Sequence, residues 1–210
     1  MKKLILILIF LIHSFSNAQY VWTKGELFLK NGETLHGLIK IPIVSKDVVA
    51  LNGKGKLKFR LTKTDKTNKY DDSQVAKAIF KDSKGNDIVF EYVSVSKKKK
   101  FLFMIIQKGK TTLYARNVRI TQSSPHYMGN GPDSPAWNHS FLTTFDEYFV
   151  LREGEAKASP LITVHRQNAF KQRAMAYFSD CPKLIAKLKS NTYRKREIIE
   201  VVKMYNECDN

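Results

Sequence analysis

The sequence predicts an α+β fold: an antiparallel β meander, barrel-like or a sandwich, followed by a small disulfide-clamped helical segment. Three observations predict this fold. From Gly25 to Ile120, apolar and polar residues alternate with period two in short runs separated by turn formers. After about residue 166 the apolar spacing becomes that of helices. The two cysteines of the chain, Cys181 and Cys208, both lie in that helical part.

The N-terminus has the three parts of a secretory signal peptide. Met1-Lys2-Lys3 is a positive start, and Leu4–Ile12 is an unbroken apolar run of nine residues. Ser16-Asn17-Ala18 then places small residues before a cleavage site at Gln19. The apolar run is shorter than the roughly 18 residues that a spanning helix needs. The predicted division of the chain is a signal peptide over 1–18, a β-rich domain over 19–165 and a three-helix segment over 166–210.

Turn residues join the predicted strands into hairpins. Asn31-Gly32 separates two alternating runs, and this dipeptide is typical of a type I′ turn with positive φ at both central residues. Asp82–Asn86 and Lys108–Lys110 are further turns, whereas the polar stretch Thr62–Asp72 predicts a loop. The predicted strands are Gly25–Lys30, Glu33–Ile41, Val48–Leu51, Lys56–Leu61, Val75–Phe80, Asp87–Val93, Phe101–Gln107, Thr111–Ile120, Phe141–Leu151 and Ala158–His165, the last at an edge because of Pro160.

Residues 121–140 interrupt the strand pattern with prolines and glycines, and they predict a long loop. The loop contains His126, Asp133 and His139, residue types that ligate metals or line catalytic sites. Their spacing fits no zinc pattern, and an Asp among glycines and prolines is commonly a turn former. No local catalytic motif is present elsewhere in the sequence, so no catalytic residue, metal or cofactor is predicted. An envelope hydrolase with its site in this loop is the alternative functional hypothesis.

The C-terminal part predicts three short helices that pack on each other or cover an open end of the sheet. Their apolar stripes are Phe170, Ala174, Tyr177 and Phe178, then Leu184, Ile185 and Leu188, and finally Ile198, Val201, Val202 and Tyr205. Cys181 opens the second helix and Cys208 follows the third, and an antiparallel helix pair brings such ends together. An oxidising compartment favours a disulfide between them over two buried thiols.

The chain is strongly basic, with a formal net charge of +17 that becomes +15 once Lys2 and Lys3 are removed. Such an excess favours anionic partners, and export argues against nucleic acid. The basic residues concentrate in two stretches, Lys54–Lys69 and Lys97–Lys100, which predict one anion-binding patch if the hairpins bring them together. The predicted patch contains Lys54, Lys56, Lys58, Arg60, Lys97, Lys98, Lys99 and Lys100. The alternative is that these lysines only solvate the surface and protect exposed strand edges.

Two stretches resemble an uncharacterised group of exported Gram-negative envelope proteins. Leu27-Phe-Leu-Lys-Asn-Gly-Glu-Thr-Leu-His-Gly37 is similar to their LKNGxTLxG opening, and Tyr177-Phe-Ser-Asp-Cys-Pro-Lys-Leu184 with Tyr205-Asn-Glu-Cys208 is similar to their closing segment. The resemblance implies export and the pairing of the two cysteines, and it brings no activity or catalytic residue.

The functional expectation is therefore an exported, non-enzymatic module of the envelope, periplasmic or at the outer surface. Its expected partner is an envelope protein or an anionic glycan or lipid. No transmembrane segment is predicted in the mature chain, and the sequence leaves the oligomeric state and the closure of the sheet open.

Overall fold

The computed structural model describes residues 22–41, 44–45, 56–127 and 136–208. The described residues form a mostly antiparallel sheet with helices after it, which confirms the predicted fold class. The strands are β1 (Thr23–Leu29), β2 (Thr34–Lys40), β3 (Val44–Ser45), β4 (Leu57–Arg60), β5 (Asn68–Tyr70), β6 (Val75–Lys81), β7 (Asp87–Ser96), β8 (Lys99–Gln107), β9 (Thr111–Tyr127), β10 (Ala136–Arg152) and β11 (Ser159–Ile162). The helices are α1 (Phe170–Tyr177), α2 (Pro182–Lys189) and α3 (Ile198–Asn206), with 3-10 helices at Val164–Ala169 and Lys195–Glu197.

The strands lie in the order β11-β10-β9-β8-β7-β6-β1-β2-β4-β5, and β3 pairs with β9 in parallel. Strands that follow each other from β6 to β11 are therefore neighbours, as a meander requires. Within the described residues the order has two ends, at β5 and β11. Pro160 lies in β11, so its predicted edge position is confirmed.

One end of the sheet curls around a hydrophobic cluster that links β4 to distant strands. Leu57 and Phe59 of β4 pack in the same cluster as Leu102 of β8. Tyr92 of β7 also packs there and forms a hydrogen bond with the backbone of Leu57, while burial raises the pKa of Tyr92 to about 12. The buried members of this cluster are Leu27, Ile39, Leu57, Phe59, Val75, Ala78 and Phe80.

The β1–β2 hairpin is present, but its turn differs from the predicted type I′ turn. Gly32 has a φ of +91°, whereas Asn31 is not among the described residues with positive φ. The Gly32 N–H donates to the Leu29 carbonyl, and the Leu29 N–H donates to the Glu33 carbonyl. This is the pattern of a three-residue connection that ends in a glycine bulge. The Asn31 side chain also accepts from the Glu33 N–H, at 3.1 Å.

Two predicted loops contain strands. The predicted loop Thr62–Asp72 includes β5, because Tyr70 pairs with Leu57 and its ring packs edge-on against Phe59, 6.3 Å away. The predicted loop 121–140 is wrong over much of its length, because β9 continues to Tyr127 and β10 begins at Ala136. The two strands pair residue by residue from Tyr127 and Ala136 onward, so their pairing overrides the turn signals in these segments. The predicted strand Val48–Leu51 lies outside the described residues.

The three predicted helices are confirmed, and they cover one face of β9, β10 and β11. Their stripes form a cluster with sheet residues such as Leu113, Val150 and Leu161. Cys181 and Cys208 form the predicted disulfide, with 6.1 Å between their Cα atoms. None of the helices in the described ranges has the length and apolar character needed to cross a bilayer.

Asn206, near the disulfide, fixes the end of α3 to the start of β9. Its side-chain oxygen accepts from the Thr111 N–H at 2.8 Å, and its side-chain nitrogen donates to the Thr111 carbonyl at 3.0 Å. A Cβ at Gly109 would lie 2.3 Å from that nitrogen, so the close approach requires glycine there. Lys110 donates to the carbonyl of Cys208. The helical segment is therefore held by specific polar contacts as well as by apolar packing.

Candidate anion-binding surface

Three lysines stand in register across three neighbouring strands. Lys40 of β2 pairs with Lys58 of β4, and Lys58 pairs in turn with Lys69 of β5. We call these residues the lysine row. Residues directly opposite in an antiparallel ladder have Cα atoms about 4.5–5.5 Å apart and share one face. The row therefore brings three positive charges side by side.

The lysine row is on the outer face of the curled sheet because its neighbours in sequence fill the core. Ile39 is 0% exposed and Phe59 is 6% exposed. Since successive side chains alternate between faces, Lys40 and Lys58 point away from the core. Lys58 and Lys69 are exposed and Lys40 is half-buried. The row is thus accessible to a ligand.

Arg60 extends the basic surface beside the row. Its guanidinium lies over the Trp22 ring, 4.1 Å from the centroid, and its Nη1 donates to the Lys63 carbonyl at 2.8 Å. The Nε atom of Arg60 is buried and has no hydrogen-bond partner within the part of the chain that the structure describes. Arg60 pairs with Leu38, which pairs on its other side with Lys24 of β1. Aromatic stacking holds the guanidinium in place and leaves donor capacity unused.

Asp71 neutralises part of the border of this surface, and the ion pairs among the described residues do not involve Lys40, Lys58 or Lys69. Lys56 forms an ion pair with Asp71, with 3.3 Å between Nζ and Oδ2. The hydroxyl and backbone N–H of Ser73 donate to Asp71, and these bonds are the main reason that its pKa falls to about 2. Among the predicted patch residues, Lys56 therefore carries a compensated charge.

The other predicted basic stretch lies at the junction of β7 and β8. Lys97 and Lys98 form the turn, and Lys99 and Lys100 begin β8, where they pair with Ser96 and Ser94. The side chains of all four lysines are exposed. The strand order places β2, β1 and β6 between β4 and β7, so these lysines do not join the lysine row in register.

The curling of the sheet nevertheless brings the β7–β8 junction towards the first residue of β4. Tyr92, which bonds the Leu57 backbone, lies two residues before Ser94, the partner of Lys100. Lys56 and the β7–β8 junction therefore lie at the same end of the curled sheet. The structure does not describe Lys54. Lys69 belongs to the first predicted basic stretch, whereas sequence reasoning did not include Lys40, although lysines at alternate, outward positions of a strand were a signal that could have found it.

The histidines of the alternative site occupy strands. His126 of β9 pairs with Trp137 of β10, and His139 of β10 pairs with Ser124 of β9. Asp133 lies outside the described residues. Within the described ranges, no three His, Cys, Asp or Glu residues cluster closely enough to hold a metal ion.

The adjacent acids Asp146 and Glu147 point to opposite faces of β10, because successive side chains of a strand alternate between its faces. Asp146 is exposed and accepts from the Asn117 side chain at 2.9 Å. Glu147 is buried and accepts from Nε and Nη2 of Arg116, at 2.9 and 2.6 Å, and from the Val164 N–H at 3.1 Å.

Aromatic rings surround the other side of Arg116. Its guanidinium carbon lies 3.8 Å from the Phe101 ring centroid, and Phe103 and Phe149 are also close. Burial lowers the pKa of Arg116, and the Glu147 carboxylate opposes that shift. This ion pair joins two strands to the segment before α1, so its arrangement serves the fold.

The lysine row is thus the arrangement with a chemical use that the fold does not require. It places three lysines side by side on one face, next to the Arg60 guanidinium. Comparisons with protein families, with curated proteins and with solved structures find no match to this chain.

Proposed function

We propose that this chain is an exported, non-enzymatic binding module that holds a multivalent anion on the outer face of β2, β4 and β5. The ligand class is a surface or polymer with repeated phosphate or carboxylate groups, such as an envelope lipid headgroup or an acidic glycan. The observation that carries the proposal is the register of Lys40, Lys58 and Lys69 on one accessible face.

The electrostatics of the lysine row support an anionic ligand. Like charges directly opposite in a ladder destabilise the sheet. Two unit charges 4 Å apart repel by about 1 kcal/mol even in bulk water. Long side chains reduce this repulsion by spreading apart, and an anion between them would replace it with attraction. Neighbouring strands lie about 4.7–4.9 Å apart, so the row presents cations at a regular spacing to a ligand with repeated charges.

Export is the second component of the proposal. It is supported by the predicted signal peptide over 1–18 and by the Cys181–Cys208 disulfide, a bond that persists in oxidising compartments. Mass spectrometry of the protein purified from cells should find Gln19, or its cyclised form, at the N-terminus. Intact Met1 on most of the cellular protein would contradict export.

Binding is tested on two sources of the same chemistry. Vesicles containing phosphatidylglycerol and a uronic-acid polysaccharide are the anionic probes, and phosphatidylcholine vesicles and a neutral polysaccharide are their controls. We expect binding to at least one anionic probe at low salt. The probe that binds more tightly shows whether the ligand is a lipid headgroup or an acidic glycan. Binding should weaken with salt, because the Debye length falls from about 30 Å at 0.01 M to about 8 Å at 0.15 M.

The variant Lys58→Gln/Lys69→Gln separates the row from general charge. Its matched control is Lys183→Gln/Lys203→Gln, which removes the same charge from exposed positions on α2 and α3. The row variant should lose most of the binding, while the control should keep it and both should fold, because exposed charges contribute little stability. Equal losses in the two variants would show that only net charge matters, and the proposed site would then be wrong.

A further inference from the structure

The β9–β10 hairpin extends beyond the strands beside it. Each of its strands has 17 residues, and they pair along their whole length. On the outer edge of β10, β11 pairs only with Tyr148–Val150. Among the described residues, no strand pairs with that edge over 136–147. An isolated two-stranded hairpin is marginally stable in water, so this extension gains from a further strand.

The outer part of the same hairpin lacks the basic side chains that protect strand edges elsewhere in the molecule, and the charged residues of β10 over 136–147 are the acids Asp146 and Glu147. Between Arg119 and Arg152 the sequence contains no Lys or Arg, although the chain has 36 of them. The two ends of the strand order differ from it: β5 carries the exposed Lys69, and β11 carries Pro160. Lysine and proline both hinder pairing at an edge. The β10 edge is therefore long and without either device over 136–147.

We propose that the β10 edge pairs with the β10 edge of a second copy, in an antiparallel arrangement that makes one continuous sheet across a two-fold dimer. An antiparallel pair of identical strands is self-complementary, which is the condition for a closed dimer. The charge distribution favours this surface. The chain is strongly basic, but the residues of β10 over 136–147 include no lysine or arginine, so two copies can pair there without bringing such residues of β10 together. The inference does not depend on the proposed anion-binding function.

The β9 edge of the hairpin is a poorer candidate for the interface. β3 enters that edge in parallel, with Val44 paired to Val118 and Ser45 paired to Arg119. Over 136–147, the outer edge of β10 has no such strand beside it in the described chain. The lysine row lies near the opposite end of the strand order, on β2, β4 and β5. A dimer through β10 therefore leaves the lysine row of each copy accessible.

Sedimentation velocity on the purified mature protein over a concentration series tests the inference. We expect a monomer–dimer equilibrium that strengthens with added salt, because salt screens the repulsion between two basic chains. This salt dependence is opposite to that of anion binding, so failure of one proposal is distinguishable from failure of the other.

One rung of the hairpin offers a matched pair of variants, because Ser140 of β10 lies directly opposite Ser123 of β9. Ser140→Lys places a charge on each of the two strands that meet in the dimer, and it should raise the dimer dissociation constant at least about tenfold. Ser123→Lys adds the same charge one strand away and should leave the constant within about threefold.

A second measurement covers the case in which Ser140→Lys fails to fold. In the parent protein, amide hydrogen exchange over 136–147 should slow as the concentration rises, while exchange in α2 stays constant. A parent that is monomeric throughout the series would overturn the inference. It would also be overturned by equal effects of the two lysine variants, or by exchange over 136–147 that does not depend on concentration.

Discussion

Replacing Glu147 by glutamine tests how much the buried ion pair contributes to the fold. The side chains of Arg116 and Glu147 are 7% and 0% exposed. Glu147 accepts two hydrogen bonds from Arg116 and one from the Val164 N–H. Glutamine keeps the shape of the side chain but removes its negative charge. The Arg116 guanidinium would then stay charged among aromatic rings without a counter-ion.

The expected cost follows from that uncompensated charge. Removing one partner of a buried ion pair destabilises a protein by about 3–5 kcal/mol. For chains of this length, 1 kcal/mol shifts Tm by about 2–4 °C, so Glu147→Gln should lower Tm by about 6–20 °C. Replacing both partners, as in Arg116→Met/Glu147→Leu, should restore part of the loss, because an apolar pair needs no desolvation of charge but leaves the Val164 N–H without its acceptor.

Thermal unfolding followed by circular dichroism measures this effect, with Asp146→Asn as the control. Asp146 is the next residue on the strand, but it is exposed and its partner is the neutral Asn117 side chain. Its substitution should change the free energy of unfolding by less than about 0.5 kcal/mol. A Tm for Glu147→Gln equal to that of Asp146→Asn would refute the reasoning that the buried charge pair is required.

Three further predictions concern stability. Cys181→Ser should lower the free energy of unfolding by about 3–4 kcal/mol, since it opens the loop closed by the disulfide to Cys208; non-reducing peptide mapping of the parent should recover the two cysteines joined. Asn206→Ala should cost about 1–3 kcal/mol in urea unfolding, because it leaves buried backbone groups of Thr111 without partners, and a change near zero would show that water replaces the amide. The pKa of Asp71 falls from 3.8 to about 2 on folding, so its stabilising contribution is complete above pH 3.8 and disappears as the pH falls to about 2. A pH series of Tm should therefore be flatter in that window for Asp71→Asn than for the parent.

The spacing of apolar and polar residues and the positions of turn formers were sufficient to predict most of the sheet and the helices. Strict alternation around Leu57 and Phe59 predicted a half-buried strand, and both residues are buried in the structure. Helical spacing after residue 166 predicted three helices, and Cys181 and Cys208 predicted the bond between their ends. These predictions succeeded because side-chain periodicity and cysteine position are properties of the chain itself.

The errors came from stretches whose local signals were weaker than their long-range pairing. Tyr70 lies in a polar stretch, but its packing against Phe59 makes its segment a strand. Ser123 and Ser140 lie near turn formers, yet they face each other in a long ladder. In these cases the deciding contacts join residues of two consecutive strands, 11 positions apart for Phe59 and Tyr70 and 17 for Ser123 and Ser140, and the residue pattern within either strand does not encode them.

The fold class, the candidate disulfide and the large positive charge follow from the residues alone. How that charge is arranged on the surface depends on the pairing of the strands. Lys40, Lys58 and Lys69 belong to three separate strands, and they form a row because β2, β4 and β5 pair in one particular register. The physical reason is that a shift of one residue would turn every side chain of a strand to the other face. The burial of Ile39 and Phe59, which pair with each other, sets that register. Lys40 and Lys58, the next pair along the two strands, therefore lie on the outer face.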